Sequence, residues 1–180
     1  MKRVMSFFMI CSLMAACAGC GYTTAALLPP ELDSIYVENF ANEIDPTREV
    51  SNRRPTYSYK PGMEVDITRA VIDGFIYDRH LDVVNEKKAA LILKGALVDF
   101  QQLPLSYSKG DSIVEFRMEI FVDIELYDNL NGELMWQEDR FMGQTSYTVS
   151  GPNAKTESQA IAAAVNDLAQ RIVERTVEAW

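Results

Sequence analysis

The sequence predicts an α+β fold: a two-layer sandwich in which a four-stranded, mostly antiparallel sheet carries two helices on one face, in the order β-α-β-β-β-α. Three observations predict it. From Ile113 to Tyr127 the chain alternates strictly, with Val114, Phe116, Met118, Ile120, Val122, Ile124 and Leu126 against Glu115, Arg117, Glu119, Phe121, Asp123, Glu125 and Tyr127. That is the period of a strand with one core face and one wet face. Two other stretches, near residues 61–79 and from Thr156 almost to the C-terminus, place apolar residues at helical spacing. Between strand patterns, Asn131-Gly132 is a hairpin turn signal.

The chain opens with Met1-Lys2-Arg3 and continues as an apolar run from Val4 to Ala16. Such a run is shorter than the about 20 residues that span a bilayer, and it ends in the small pair Ala18-Gly19, so residues 1–19 read as a cleaved secretion signal. Cys17-Ala18-Gly19-Cys20 resembles a bacterial lipobox, with Cys17 where that motif usually carries Leu. Cys20 is therefore the expected lipid-bearing residue; Met14-Ala15-Ala16-Cys17 is the competing site. Cleavage before Cys20 removes the other two of the three cysteines, leaving no disulfide, Cys-ligated metal or thiol nucleophile.

Residues 20–32, with Pro29-Pro30, read as the lipidated N-terminus and an extended tether, and residues 33–180 as a single domain. Ser34 to Phe40 alternates as the first strand, with Ile35, Val37 and Asn39 on one face. Ala41 to Lys60 is polar and longer than ordinary connections, which marks it as a loop with a role of its own; Arg53, Arg54, Tyr57 and Tyr59 are its candidate partner contacts. The first helix begins near Pro61 and runs to about Arg79, with Met63, Ile67, Ala70, Val71 and Gly74 on one face at helical spacing. On its other side, Val65, Ile72 and Ile76 form a second apolar ridge, which needs either the tether from Leu27 to Leu32 or a partner to cover it. Leu91 to Phe100 is the second strand, Gln101 to Asp111 a loop, and Glu133 to Thr145 the fourth strand. Thr156, with Glu157 and Ser158, caps the last helix, whose stripe is Ile161, Val165, Leu168, Ala169, Ile172 and Thr176.

Composition excludes several functions. The chain has 17 basic and 26 acidic residues; without Lys2 and Arg3 the balance is 15 against 26, or −11. Such a surface argues against nucleic acid and against docking on anionic headgroups by charge, leaving the acyl chains as the membrane anchor. His80 stands alone, without acids or cysteines at ligand spacing, and reads as a surface or capping residue. No nucleophile elbow, phosphate loop or metal motif is present, so no enzyme is expected and no cofactor beyond the covalent lipid on Cys20.

Cys20-Gly21-Tyr22, Glu38-Asn39-Phe40, Leu103-Pro104-Leu105-Ser106-Tyr107 and Gly132-Glu133-Leu134-Met135-Trp136, in that order, resemble the lipopolysaccharide-assembly lipoprotein family LptE. The resemblance implies a two-helix, four-stranded sandwich seated as a plug in the large outer-membrane β-barrel LptD, where it assists barrel assembly and lipopolysaccharide delivery to the outer leaflet. It also implies an outer-membrane location, lipid-anchored on the periplasmic side, and Gly21 after the cysteine resembles the sorting pattern of such lipoproteins. A scaffold lipoprotein with another envelope partner is the alternative. Lipid A phosphates need cations, and the candidates are Lys94, Arg117 and Lys109. Two features depart from the family pattern: the 41–60 loop and the strong negative charge.

The signal reading has a direct test. Cys20→Ala is expected to release the protein from membranes, as followed by fractionation; release by Cys17→Ala alone would move the site.

Overall fold

The computed structural model describes Pro29, residues 31–44 and residues 60–178. The signal, Cys20, Leu27-Leu28, Arg53, Arg54, Tyr57 and Tyr59 lie outside the described residues.

Among the described residues, six strands and two long helices follow in the order β1 (Ser34–Val37), β2 (Ala41–Asn42), α1 (Met63–Asp78), β3 (Asp82–Val83), β4 (Leu91–Tyr107), β5 (Ile113–Asp128), β6 (Glu133–Thr148) and α2 (Glu157–Glu178). The class is the expected α+β, but the sheet is six-stranded and mixed instead of four-stranded. β4, β5 and β6 form an antiparallel meander, while β1 pairs in parallel with β4 on one side and with β3 on the other. β2 also lies parallel to β4, further along the same edge as β1. The extra pairings come from two-residue strands, too short for any periodicity to register.

The first strand ends at Val37, not Phe40. Glu38 N–H still bonds the Leu93 carbonyl at 2.9 Å, but Phe40 then turns inward and is buried, whereas Asn39 is exposed. Phe40 N–H leaves the ladder for Thr68 Oγ1 of α1, at 2.9 Å, and that hydroxyl donates to the Glu64 carbonyl at 2.8 Å. The ring lies over Gly95 of β4, where an added Cβ would stand 2.1 Å from it. A glycine in mid-strand, otherwise unfavourable, is what lets the aromatic ring lie flat on the backbone.

The meander is longer than predicted. β4 runs to Tyr107 through the segment expected as a loop, and β6 to Thr148. Pro104 is tolerated there because β4 is paired with β5 through Phe116, while β1 and β2 stop at Leu97 on its other side. At about 3.3 Å per residue, these strands of 16 and 17 residues are about 50 Å long. They bend at one level: Val98 is unpaired in β4, and Asp139 and Arg140 stand opposite Asp123 in β6.

Both helices cover one face. Leu91, Leu93, Leu97, Phe100, Met118, Ile120, Val122, Ile124 and Leu126 from the sheet join Met63, Ile67, Val71 and Phe75 of α1 and Ala164, Leu168 and Ile172 of α2 in one core cluster. α2 is capped by a reciprocal pair in which Gln159 N–H donates to Thr156 Oγ1 and Thr156 N–H to Gln159 Oε1. The partner of Thr156 is thus three residues on, not Glu157 or Ser158. At Gly143 of β6 the helix touches the sheet backbone to backbone: an added Cβ would meet Leu168 Cα at 2.6 Å and Leu168 N at 2.7 Å.

Gly143→Ala is expected to lose about 1–3 kcal/mol of stability in denaturant unfolding, because a helix backbone cannot step aside. Gly95→Ala should cost less, since the Phe40 ring can move, and Phe40→Leu should recover part of that loss.

Candidate partner-binding surfaces

Two surfaces remain outside the core: the outer side of the helix layer and the open face of the sheet. On α1 the apolar ridge splits. Val65 and Ile76 are 53% and 57% exposed, whereas Ile72 is half-buried and packs against the core. Ile76 borders a shallow cleft with Phe75, Arg79, Leu81 and Val83, at the β3 edge of the sheet. The opposite flank of α1 faces α2, where Gly74 lets Val173 approach. Above that contact a groove of 870 Å³ runs between the helices. Its floor includes Ala70, Ile161, Val165 and Val173; Asp66, Asp73, Asp78 and Glu174 line it together with Lys60 and Arg69, and Tyr77, 90% exposed, stands beside its end.

The open face of the sheet is a row of paired charges. Lys94 Nζ lies 5.0 Å from the centroid of the Tyr127 ring and 3.9 Å from the Glu38 carboxylate. Tyr127 donates its hydroxyl to Glu125 at 2.8 Å. This bond to a carboxylate is the main reason the phenol titrates above its usual value, with burial and the Glu125 charge adding to it. Arg117 Nη1 stands 3.9 Å from Glu119 Oε1. Lys109 is exposed in the turn between β4 and β5.

The structure does not bring these three cations together. Lys94 is registered with Glu125, eight residues along β5 from Arg117, a separation of about 27 Å, and Lys109 lies beyond the far end of the strands. Lys94 and Arg117 each already face an acid.

The cation at the centre of the face is one that periodicity does not single out. Arg140, at the bend of β6, adopts a left-handed backbone (φ 52°), and its N–H bonds Asp123 Oδ1 at 2.7 Å. Its guanidinium stacks 4.4 Å from the centroid of the Phe121 ring and reaches Asp99 Oδ2 at 2.9 Å, so one side chain of β6 crosses β5 to grip β4. The break of alternation at Glu138-Asp139-Arg140 is the only sequence signal of the bulge that aims it.

His80 forms an exposed pair with Asp78, Nδ1 to Oδ2 at 2.8 Å, just beyond the end of α1. Among the described residues no group of His, Cys, Asp and Glu is arranged to hold a metal ion, and no helix is long and apolar enough to cross a membrane. What the two surfaces offer is contact area of opposite kinds: exposed aliphatic side chains on α1, and hydrogen-bonded charges on the sheet.

Comparison with known proteins gives one family. The model of the family LptE, described as lipopolysaccharide-assembly, matches residues 32–176. No curated protein matches the chain. Among solved structures, the hypothetical protein CT253 from Chlamydia trachomatis aligns with a TM-score of 0.51 at 8% identity, covering 80% of this chain and 95% of that one. A minor lipoprotein from Acinetobacter baumannii aligns at 0.48 with 12% identity, over 81% and 93% of the two chains. The rare lipoprotein B from Shewanella oneidensis aligns at 0.46 with 14% identity, over 82% and 92%. The likeness to CT253 is one of fold.

Core and surface parts of the α1 ridge should separate in thermal unfolding. Val65→Ser with Ile76→Ser is expected to leave the melting temperature nearly unchanged, whereas Ile72→Ser should cost about 1–2 kcal/mol through lost burial.

Proposed function

This chain belongs to the lipopolysaccharide-assembly family LptE, and from that membership we propose that it is a lipid-anchored plug and assembly factor for the β-barrel of the lipopolysaccharide translocon. The general role, lipopolysaccharide assembly in the cell envelope, is the family's. The finer reading is that Cys20 carries the lipid after removal of residues 1–19, that residues 33–180 act as one domain on the periplasmic side of the outer membrane, and that a barrel of the LptD kind surrounds it. No catalysis and no cofactor other than the lipid enter this reading.

The observation that carries it is the pair of exposed aliphatic side chains on a helix that already buries a full face of its own. Val65 and Ile76 contribute nothing to the core they sit above, and apolar side chains on the outer flank of an amphipathic helix suit a covering partner. The open sheet face suits the polar wall of a barrel lumen, since Arg140 and Lys94 are neutralised within the domain before any partner arrives. Arg53, Arg54 and Tyr57 are further barrel contacts on this reading. Direct contact with lipopolysaccharide would engage Lys94, Arg117 and Lys109 singly, because their separation forbids a common phosphate site.

Mild detergent extraction tests the proposal. The wild-type chain is expected to co-purify with a large β-barrel, and Val65→Ser with Ile76→Ser to weaken that association at unchanged protein level. Recovery of a different envelope protein, with no barrel, would overturn the plug reading.

A further inference from the structure

The turn between β5 and β6 holds the one Asn-Gly dipeptide of the chain, Asn131-Gly132. In such a pair the peptide nitrogen of the glycine can attack the side-chain amide of the asparagine, because no Cβ shields that nitrogen. The dipeptide that suits a hairpin turn is therefore also a reactive one. Both residues are exposed, and among the described residues nothing stands within 4 Å of where a Cβ on Gly132 would be. Water reaches the pair freely.

Each reacting group is nevertheless held by one residue. Gly132 N–H, which must lose its proton before the nitrogen can attack, donates to the Asp128 carbonyl at 2.8 Å, with Gly132 at φ 70°. Asn131 Nδ2, the nitrogen that would leave, donates to Asp128 Oδ2 at 2.8 Å. Asp128 Oδ1 accepts from the N–H groups of Leu130, at 2.8 Å, and Asn131, at 3.3 Å, which fixes the backbone leading into the pair. The base of the turn is anchored in its own right: Asn129 N–H donates to the Ala90 carbonyl at 2.8 Å, and its Nδ2 to the carbonyls of Glu86 and Ala89, at 2.9 and 2.8 Å.

We propose that Asn131 is a site of spontaneous deamidation in this protein, and that Asp128 holds it unreacted while the turn is closed. In the reaction Gly132 N gives its proton to hydroxide and bonds to Asn131 Cγ. The Cγ–Nδ2 bond breaks, and Nδ2 takes a proton from water and leaves as ammonia. A second water then opens the cyclic imide to aspartate or isoaspartate, so the net change is one water consumed and one ammonia released. With Asp128 in place the turn must open before Gly132 N is free, and the rate follows that small open fraction. Conversion also undoes the restraint. The new carboxylate has no N–H to donate to Asp128 Oδ2, and it stands beside the acids Asp128 and Glu133, which repel it. The proposal depends on neither the lipid anchor nor the barrel.

The full mature protein, kept in the detergent that extracts it, is incubated at mildly alkaline pH while the peptide spanning Asn131-Gly132 is followed by mass spectrometry. Folded wild type is expected to convert about tenfold more slowly than the same chain in guanidinium chloride; that factor corresponds to about 1.4 kcal/mol, the order of one hydrogen bond to a charged group. Folded Asp128→Ala is expected to close most of the gap. Asp128→Ser, whose hydroxyl can still cap a backbone N–H, should fall between the two and serves as the test if the alanine variant does not fold. Thermal unfolding before incubation identifies the folded variants. Equal rates for folded and unfolded wild type, or a folded Asp128 variant as slow as wild type, would show that Asp128 does not restrain the pair. No conversion at Asn131 in the unfolded chain would remove the site itself.

Discussion

A helix can lie backbone to backbone on a sheet only where the sheet presents no side chain, and in this fold that place is Gly143 beneath Leu168. The contact fixes the height of α2 over β6, and neighbouring interactions then become possible. Gln144 N–H is capped by Asp167 at 2.8 Å, and Arg175 meets the Glu138 carboxylate and stacks on the Trp136 ring at 4.6 Å. α1 in turn is seated against α2 through Gly74 and Val173, and against the sheet through the Thr68 hydroxyl that holds Phe40. The absence of side-chain volume at Gly95 and Gly143 lets an aromatic ring and α2 come close to the sheet, and at Gly74 it lets α1 come close to α2.

The same approach makes the two faces unequal. With both helices on one side, no element of the described residues lies over the other side of the meander. Lys94, Arg117 and Arg140 there each face an acid instead, and Lys94 and Arg140 also lie over an aromatic ring of β5. The bend at Val98 and Asp139-Arg140 is central here, because only the local change in direction lets Arg140 cross Phe121 to Asp99. Each exposed pair contributes little on its own, about 0–1 kcal/mol, so the row is better understood as conditioning the surface than as stabilising the fold.

Long-period features were legible in the sequence. The alternation of β5, the stripe of α2 and the Asn131-Gly132 turn all report how many residues share one face, and burial follows them closely, whereas the stripe of α1 is rotated, with Thr68 and Phe75 buried and Ala70 and Gly74 half-buried toward α2. Features that depend on a single residue leaving the pattern were not legible. Phe40 departs from its strand to reach Thr68, β2 and β3 are two residues each, and Gln101 to Tyr107 reads as loop because Pro104 and its polar neighbours mask a strand whose second edge is unpaired beyond Leu97. The candidate surfaces were half legible for the same reason. A helical wheel finds Val65 and Ile76 correctly as outward, but places Ile72 with them, since it carries no knowledge of the core packing at its flank. Distances between Lys94, Arg117 and Lys109 are set by strand register, which composition does not contain.

The negative charge of the domain bears on how such a surface can be enclosed. An acidic body entering a polar lumen must give up hydration, and each bare carboxylate makes that step costly. On the open face, Asp99, Glu125 and Glu38 already have a guanidinium, a phenol hydroxyl and an ammonium beside them, so less solvation is left to remove where the strands are most crowded with charge. The helix flank has a different arrangement: Val65 and Ile76 gain by losing water, and the acids Asp66 and Asp73 lie on the groove side of α1, away from the β3 edge that Ile76 borders. The domain thus separates its surfaces by the physics of dehydration, internally paired charge on the sheet and aliphatic side chains on the flank. Such a division allows a strongly acidic protein to be surrounded without relying on long-range attraction, which salt would screen.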